Sequence, residues 1–202
     1  MQILTYPSDP AEARIQSILA RGLDYGTDDY ENVSHMVADV RERGDEALIE
    51  YTRRFDAPEA ADATLAVGAE EITEAVNAIT PAFKAALTRA VSQVESFHRR
   101  QLRNSWVSTE REGVVLGQLI NPVGSAGIYV PGAKGGMTPL VSSVFMGAIP
   151  ARIAGVKRVV MVTPPRADGT VNPHLLAAAE MVGIDEIYKT GSAWSIAALA
   201  YG

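Results

Sequence analysis

The chain has 202 residues, no cysteine, and a formal charge of −6 from 18 basic and 24 acidic side chains. The missing thiols exclude disulfides, thiolate metal sites and cysteine nucleophiles, and the acidic balance argues against a nucleic-acid surface, which needs clustered Lys and Arg. No apolar run reaches the ~18 residues of a membrane span, and the first 16 residues lack the basic start and apolar block of a secretion signal. The expectation is a cytoplasmic protein with neither a membrane nor a nucleic acid as partner.

Residues 1–104 are rich in Glu, Arg and Ala at helical spacing and are expected to form a mainly helical region. Asp9-Pro10 reads as an N-cap followed by a first-turn proline, leading into a helix over Ala11–Leu23. Thr27 would cap the next helix, where Val33, Met36, Val37 and Val40 repeat at three- and four-residue intervals. Gly44 would end that helix and Asp45 cap another. Thr64–Val67 is a short candidate strand, and Glu70–Ile79 and Pro81–Gln101 read as helices. The basic cluster Arg99, Arg100 and Arg103 falls at a helix end, where cations complement the dipole.

Residues 105–202 change character. Trp106–Glu110 and Val114–Ile120 flank Glu112-Gly113 and predict a β-hairpin. Ile128–Val130 would be a strand and Thr138–Ala154 a helix, capped at Thr138 and kinked or split at Pro150. Arg158–Val162 carries Val-Val-Met-Val, apolar at successive positions as a strand buried on both faces requires. Pro173–Val182 is a helix with a solvated His174 in its first turn, Glu186–Tyr188 a strand and Ala193–Ala200 a helix. Gly155 and Gly183, 28 residues apart, would each end a helix in the left-handed conformation before a β-branched residue. That spacing is about one strand-plus-helix unit. The expected fold is α/β: an incomplete Rossmann-like parallel sheet with flanking helices, preceded by the helical region. Tyr201-Gly202 would be a third such helix end, and a parallel sheet would ordinarily continue from there, so a truncated domain is expected.

The segment Asn121–Gly136, NPVGSAGIYVPGAKGG, places five glycines around the strand Ile128–Val130. Gly132 would let the backbone approach a ligand closely and Lys134 would add a cation near a helix N-terminus. Neither standard phosphate motif is present: there is no G-x-G-x-x-G triplet, and after the P-loop-like spacing of Gly127 and Gly132 comes Ala133 where lysine is needed. Composition alone leaves a ligand cradle and a tight connection equally open. His35, His98 and His174 are scattered and form no i, i+4 pair, so no metal ligands are assigned. Trp106 and Trp194 are packing candidates, with Trp194 near a helix start where a ligand could stack. The glutamates at 42, 46, 50, 70, 71 and 74 read as solvated helix faces, and no catalytic acid–base pair emerges from spacing.

Six segments, in order, carry a resemblance. They are Arg53-Arg54-Phe55-Asp56; Phe97-His98 with Gln101; Pro122-Val123-Gly124 with Gly127-Ile128-Tyr129-Val130-Pro131-Gly132; Ser142-Ser143-Val144; Pro150-Ala151 with Ala154-Gly155-Val156; and Ala197-Ala198-Leu199-Ala200-Tyr201-Gly202. Together they resemble the N-terminal half of histidinol dehydrogenases. The resemblance implies oxidation of L-histidinol to L-histidine in two NAD-dependent steps through an aldehyde, the last reaction of histidine biosynthesis. It implies a substrate-holding zinc ion and a Glu–His acid–base pair, both encoded beyond the position of Gly202, and a homodimer. Tyr129 matches the family's NAD-contacting tyrosine of the Y-[VI]-P-G motif. Trp194 stands where the family commonly has a glutamine that contacts NAD, and the loop over residues 133–138 is longer than the usual pattern. The implied cofactor-binding set is Tyr129, Gly132, Lys134 and Trp194, with no catalytic or metal residue in this chain, which alone is expected not to turn over histidinol. Two alternatives remain: a related dehydrogenase of another small polar alcohol, and a non-catalytic α/β binding or assembly module.

Overall fold

A computed structural model describes residues 3–20, 27–60, 64–132 and 138–202 of the chain. The helical region comprises α1 (Asp9–Leu19), α2 (Thr27–Arg43), α3 (Asp45–Tyr51), a single π-helical turn over Thr52–Asp56, α4 (Ala69–Ala78) and α5 (Pro81–Arg99). An antiparallel hairpin of β1 (Trp106–Ser108) and β2 (Leu116–Gln118) follows. The remainder alternates strand and helix: β3 (Ser125–Tyr129), α6 (Val141–Ile153), β4 (Arg158–Thr163), α7 (Pro173–Met181), β5 (Glu186–Lys189) and α8 (Ser192–Tyr201).

The three later strands form a parallel sheet in the order β3-β4-β5, with Ile128 opposite Met161 and Met161 opposite Ile187. The α/β class, the parallel sheet and the helical lead-in all match the reading of the sequence. Strand side chains alternate between faces, so Ile128, Met161 and Ile187 share one face. They enter the main core with Leu175 and Leu176 of α7, Val144 and Ala148 of α6 and Leu87 of α5. Val160 and Val162 point the other way, into a groove shared with Leu48 of α3 and Leu199 of α8. Every residue from Val159 to Thr163 is buried, as the run of apolar residues demands. Each fully buried side chain of this size contributes roughly 1.5–3 kcal/mol through removal from water.

Both glycine helix ends form as expected. Val156 N–H bonds the Ala151 carbonyl at 3.0 Å, and Ile184 N–H bonds that of Ala179 at 2.9 Å, while Gly155 and Gly183 take φ of 89° and 73°. These are six-to-one closures that satisfy carbonyls a helix end would otherwise leave bare. A side chain at Gly183 would occupy the left-handed region at a cost of about 1–2 kcal/mol. Its Cβ would also lie 3.0 Å from an Arg152 nitrogen. Gly183→Ala is therefore expected to lower unfolding stability by about 1–2 kcal/mol, measured by urea denaturation; an unchanged midpoint would contradict this account of the helix end.

Several local expectations are corrected. Ser8, not Asp9, caps α1: its hydroxyl accepts the Ala11 N–H at 3.4 Å, and Asp9 and Pro10 are already helical. The helix stops at Leu19, while residues 21–23 lie outside those described. Gly44 rather than Asp45 is the boundary residue of α3. Thr64–Val67 forms no strand but runs antiparallel to β5 through one bridge, Ala66 to Tyr188, with backbone bonds between Leu65 and Lys189 and between Val67 and Ile187. Leu140, not Thr138, precedes α6, with no side-chain cap. That helix runs unbroken through Pro150. Proline there removes the donor for the Met146 carbonyl, and Met146 lies on the exposed side of the helix. His174 is half-buried rather than solvated, edge-on to Phe83 with ring centroids 4.5 Å apart and Nδ1 3.1 Å from Asn172 Oδ1.

Candidate functional site

In parallel α/β sheets, ligands collect beyond the carboxyl ends of the strands, where loops and helix N-termini converge. Here those ends are Tyr129 on β3, Thr163 on β4 and Lys189 on β5, and α8 begins immediately beyond β5. Tyr129 keeps 37% of its surface exposed. Its hydroxyl oxygen accepts the Ser192 N–H at 3.4 Å, which ties the end of β3 to the first turn of α8. Gly132 lies three residues beyond the strand and is half-buried. Lys134 lies outside the described residues.

The turn from β5 into α8 is built closely. At Gly191 a Cβ would come within 2.7 Å of Pro164 Cβ and 3.1 Å of Asp56 Oδ2, so only glycine fits without a shift. Gly191 N–H donates to Asp56 Oδ2 at 3.0 Å. Thr190 and Thr52, both buried, place their hydroxyls 2.8 Å apart. Ser192 then takes φ of 53°, the one non-glycine residue with positive φ among those described. Burial pushes the Asp56 carboxyl above its usual range, with the Gly191 N–H pulling the other way.

Trp194 does not face this mouth. It is 4% exposed and packed in a second core as one of three mutually adjacent rings, with centroids 5.6 Å from Tyr51 and 5.4 Å from Phe55, which lie 6.3 Å from each other. Val40, Leu48 and Ala197 close around it. A ring enclosed in this way offers no free face to a ligand, so the expectation of Trp194 as a stacking platform is corrected to a packing role. Tyr51 is in turn fixed by its hydroxyl, which donates to Asp39 Oδ2 at 2.8 Å. The Arg43 guanidinium, then that hydroxyl, hold the Asp39 carboxyl well below the usual carboxylate range.

The sequence reading missed Asp56, Thr52 and Ser192. Asp56 was visible only as part of the Arg-Arg-Phe-Asp motif; nothing in a sequence couples it to Gly191, 135 positions away. Among the described residues no group of three or more His, Cys, Asp or Glu side chains could hold a metal ion. A zinc ion therefore finds no fitting site in the part of the chain described. No described helix is long and apolar enough to cross a membrane.

The family model for histidinol dehydrogenase matches residues 23–202. The chain belongs to the histidinol dehydrogenase family. It is 49% identical over 195 residues to histidinol dehydrogenase from Desulfotalea psychrophila, covering 96% of this chain and 45% of that protein. It is 46% identical over 201 residues to that from Nitratidesulfovibrio vulgaris, covering 100% of this chain and 46% of its relative. The crystal structure of histidinol dehydrogenase from Elizabethkingia anophelis superposes with a TM-score of 0.79 at 36% identity, over 86% of this chain and 39% of that one. The chain thus spans about half the length of the curated relatives it matches.

Proposed function

We propose that this chain is the NAD-holding part of a histidinol dehydrogenase, with Tyr129 and Gly132 at the sheet mouth receiving the cofactor. The observation that carries the reading is the exposed Tyr129 ring at the carboxyl end of a parallel strand, hydrogen-bonded to the first amide of α8. Helix N-termini favour anions such as a pyrophosphate, because unpaired N–H groups and the helix dipole point outward. The tight Gly191 turn keeps backbone rather than side chain beside that end. NAD held at Tyr129 and Gly132 would supply the hydride acceptor for oxidation of L-histidinol to L-histidine, a four-electron change that consumes two NAD and one water. The chain's own part is to bind and orient the cofactor: an aromatic face from Tyr129, close backbone at Gly132, and a cation if Lys134 reaches the same mouth.

Zinc and proton transfer would come from residues outside the described set, since no fitting ligand cluster is present there, and no step through zinc is derived. The working protein is proposed to be a cytoplasmic homodimer. The hairpin supports self-association: Val107, Val115 and Leu119 are each at least 72% exposed, apolar surface that a second copy would remove from water.

Titration of the 202-residue chain with NAD in a calorimeter tests the reading. Saturable heat is expected, and Tyr129→Ala is expected to weaken binding about 10-fold, the equivalent of ~1.4 kcal/mol of lost ring contact. No heat at millimolar NAD, or an affinity indifferent to Tyr129→Ala, would count against it.

A further inference from the structure

The turn that feeds α8 is held from outside the sheet. Thr52 meets Thr190, Asp56 accepts the Gly191 N–H, and Phe55 stacks on Trp194. All three contacts come from one π-helical turn, Thr52–Asp56, closed by Ala57 N–H to the Thr52 carbonyl at 2.9 Å. A π-helical turn carries one residue more than an α-turn, which re-aims its side chains and recurs at functional positions. A carboxyl half-buried against a single amide is a costly way to fill space, because burial disfavours its charged form. A purely packing role would be served as well by an apolar side chain. What the carboxyl adds is direction: its bond fixes Gly191 N–H at one point, and the next residue, Ser192, adopts a strained left-handed backbone that persists only when its surroundings over-determine it. That backbone aims the Ser192 amide at the Tyr129 hydroxyl.

We propose that Asp56 is a positioning residue for the sheet mouth: through Gly191 it holds the strained Ser192 turn, which presets the Tyr129 ring before a ligand arrives. The claim for cofactor affinity rests on the proposed NAD reading; the claim for Tyr129 itself does not. Pre-organisation of this kind strengthens binding by lowering the ordering cost, without any new contact to the ligand.

The test uses Asp56→Ala and Asp56→Asn in the 202-residue chain with three readouts: amide hydrogen exchange at Gly191, the ring resonance of isotope-labelled Tyr129, and calorimetric NAD affinity. Asp56→Ala is expected to speed Gly191 exchange about 10-fold or more, shift the Tyr129 resonance, and weaken NAD about 5-fold. Asp56→Asn retains an oxygen acceptor and is expected to stay within about 2-fold of the parent in exchange and affinity. Ser192→Gly, which leaves the Asp56 bond and both cores untouched, is expected to move the Tyr129 resonance in the same direction and serves should the alanine variant fail to fold. A Tyr129 resonance unmoved by both Asp56→Ala and Ser192→Gly overturns the proposal, as does a shifted resonance with unchanged NAD affinity. If the parent takes no NAD while the resonance and exchange respond as expected, the NAD reading fails and the positioning of Tyr129 by Asp56 stands.

Discussion

Trp194→Ala is expected to destabilise the chain by about 3–5 kcal/mol, the usual cost of removing a large aromatic ring from a packed interior. The indole packs against the rings of both Tyr51 and Phe55 and is 4% exposed, so truncation leaves a hole in the second core beside them. It also severs the contact through which α8 leans on α3 and the π-helical turn. The indole N–H is buried with no hydrogen-bond partner among the described residues, and an unmet donor is itself unfavourable by about 1–3 kcal/mol. Trp194→Phe keeps a ring in the stack and removes that donor, so its loss is expected to be less than half that of the alanine variant. Urea unfolding of the three proteins measures both. An alanine variant as stable as its parent, but with NAD affinity abolished, would mean that the ring serves the ligand and that the buried placement misdescribes it.

Met161→Ala is expected to cost about 2–5 kcal/mol, because a fully buried thioether leaves a cavity its neighbours cannot close. Met161 is 0% exposed at the centre of the middle strand, with Ile128 and Ile187 on either side and α6 and α7 across the core. Met161→Leu nearly conserves volume and is expected to cost less than about 1.5 kcal/mol. Thermal and urea midpoints of the pair separate a cavity effect from a general intolerance of change in β4. Equal losses for alanine and leucine would contradict the close packing described for that strand.

The elements most legible in the sequence are those whose signal is local and repeated. Val159 to Val162 can be apolar at every position only if both faces are covered, and they are. Gly155 and Gly183 announce their helix ends because few residues other than glycine adopt a left-handed closure without penalty. Legibility fails where the choice lies between neighbours or depends on distant partners. Ser8 and Asp9 are both good caps, and their order along the chain does not say which hydroxyl or carboxylate reaches the Ala11 amide. Thr64–Val67 has strand-like residues but meets β5 over a single bridge, so its pairing depends on where a segment some 120 residues later ends up. Trp194 sits at a helix start, as a ligand platform might, yet its neighbours Tyr51 and Phe55 are fixed by tertiary packing that spacing does not encode. The same holds for the site: Tyr129 is found by motif, whereas Asp56, Thr52 and Ser192 become visible only once the chain has folded.

Amide resonances of the 202-residue chain, followed during addition of NAD, test most directly whether the mouth of the β3-β4-β5 sheet receives the cofactor. Shifts concentrated at Tyr129, Gly132 and Ser192 are expected, with the buried Trp194 indole little changed. Saturable shifts that instead gather on the α5–α6 side, around Glu95, Arg99 and Arg152, with Tyr129 and Ser192 silent, would contradict it.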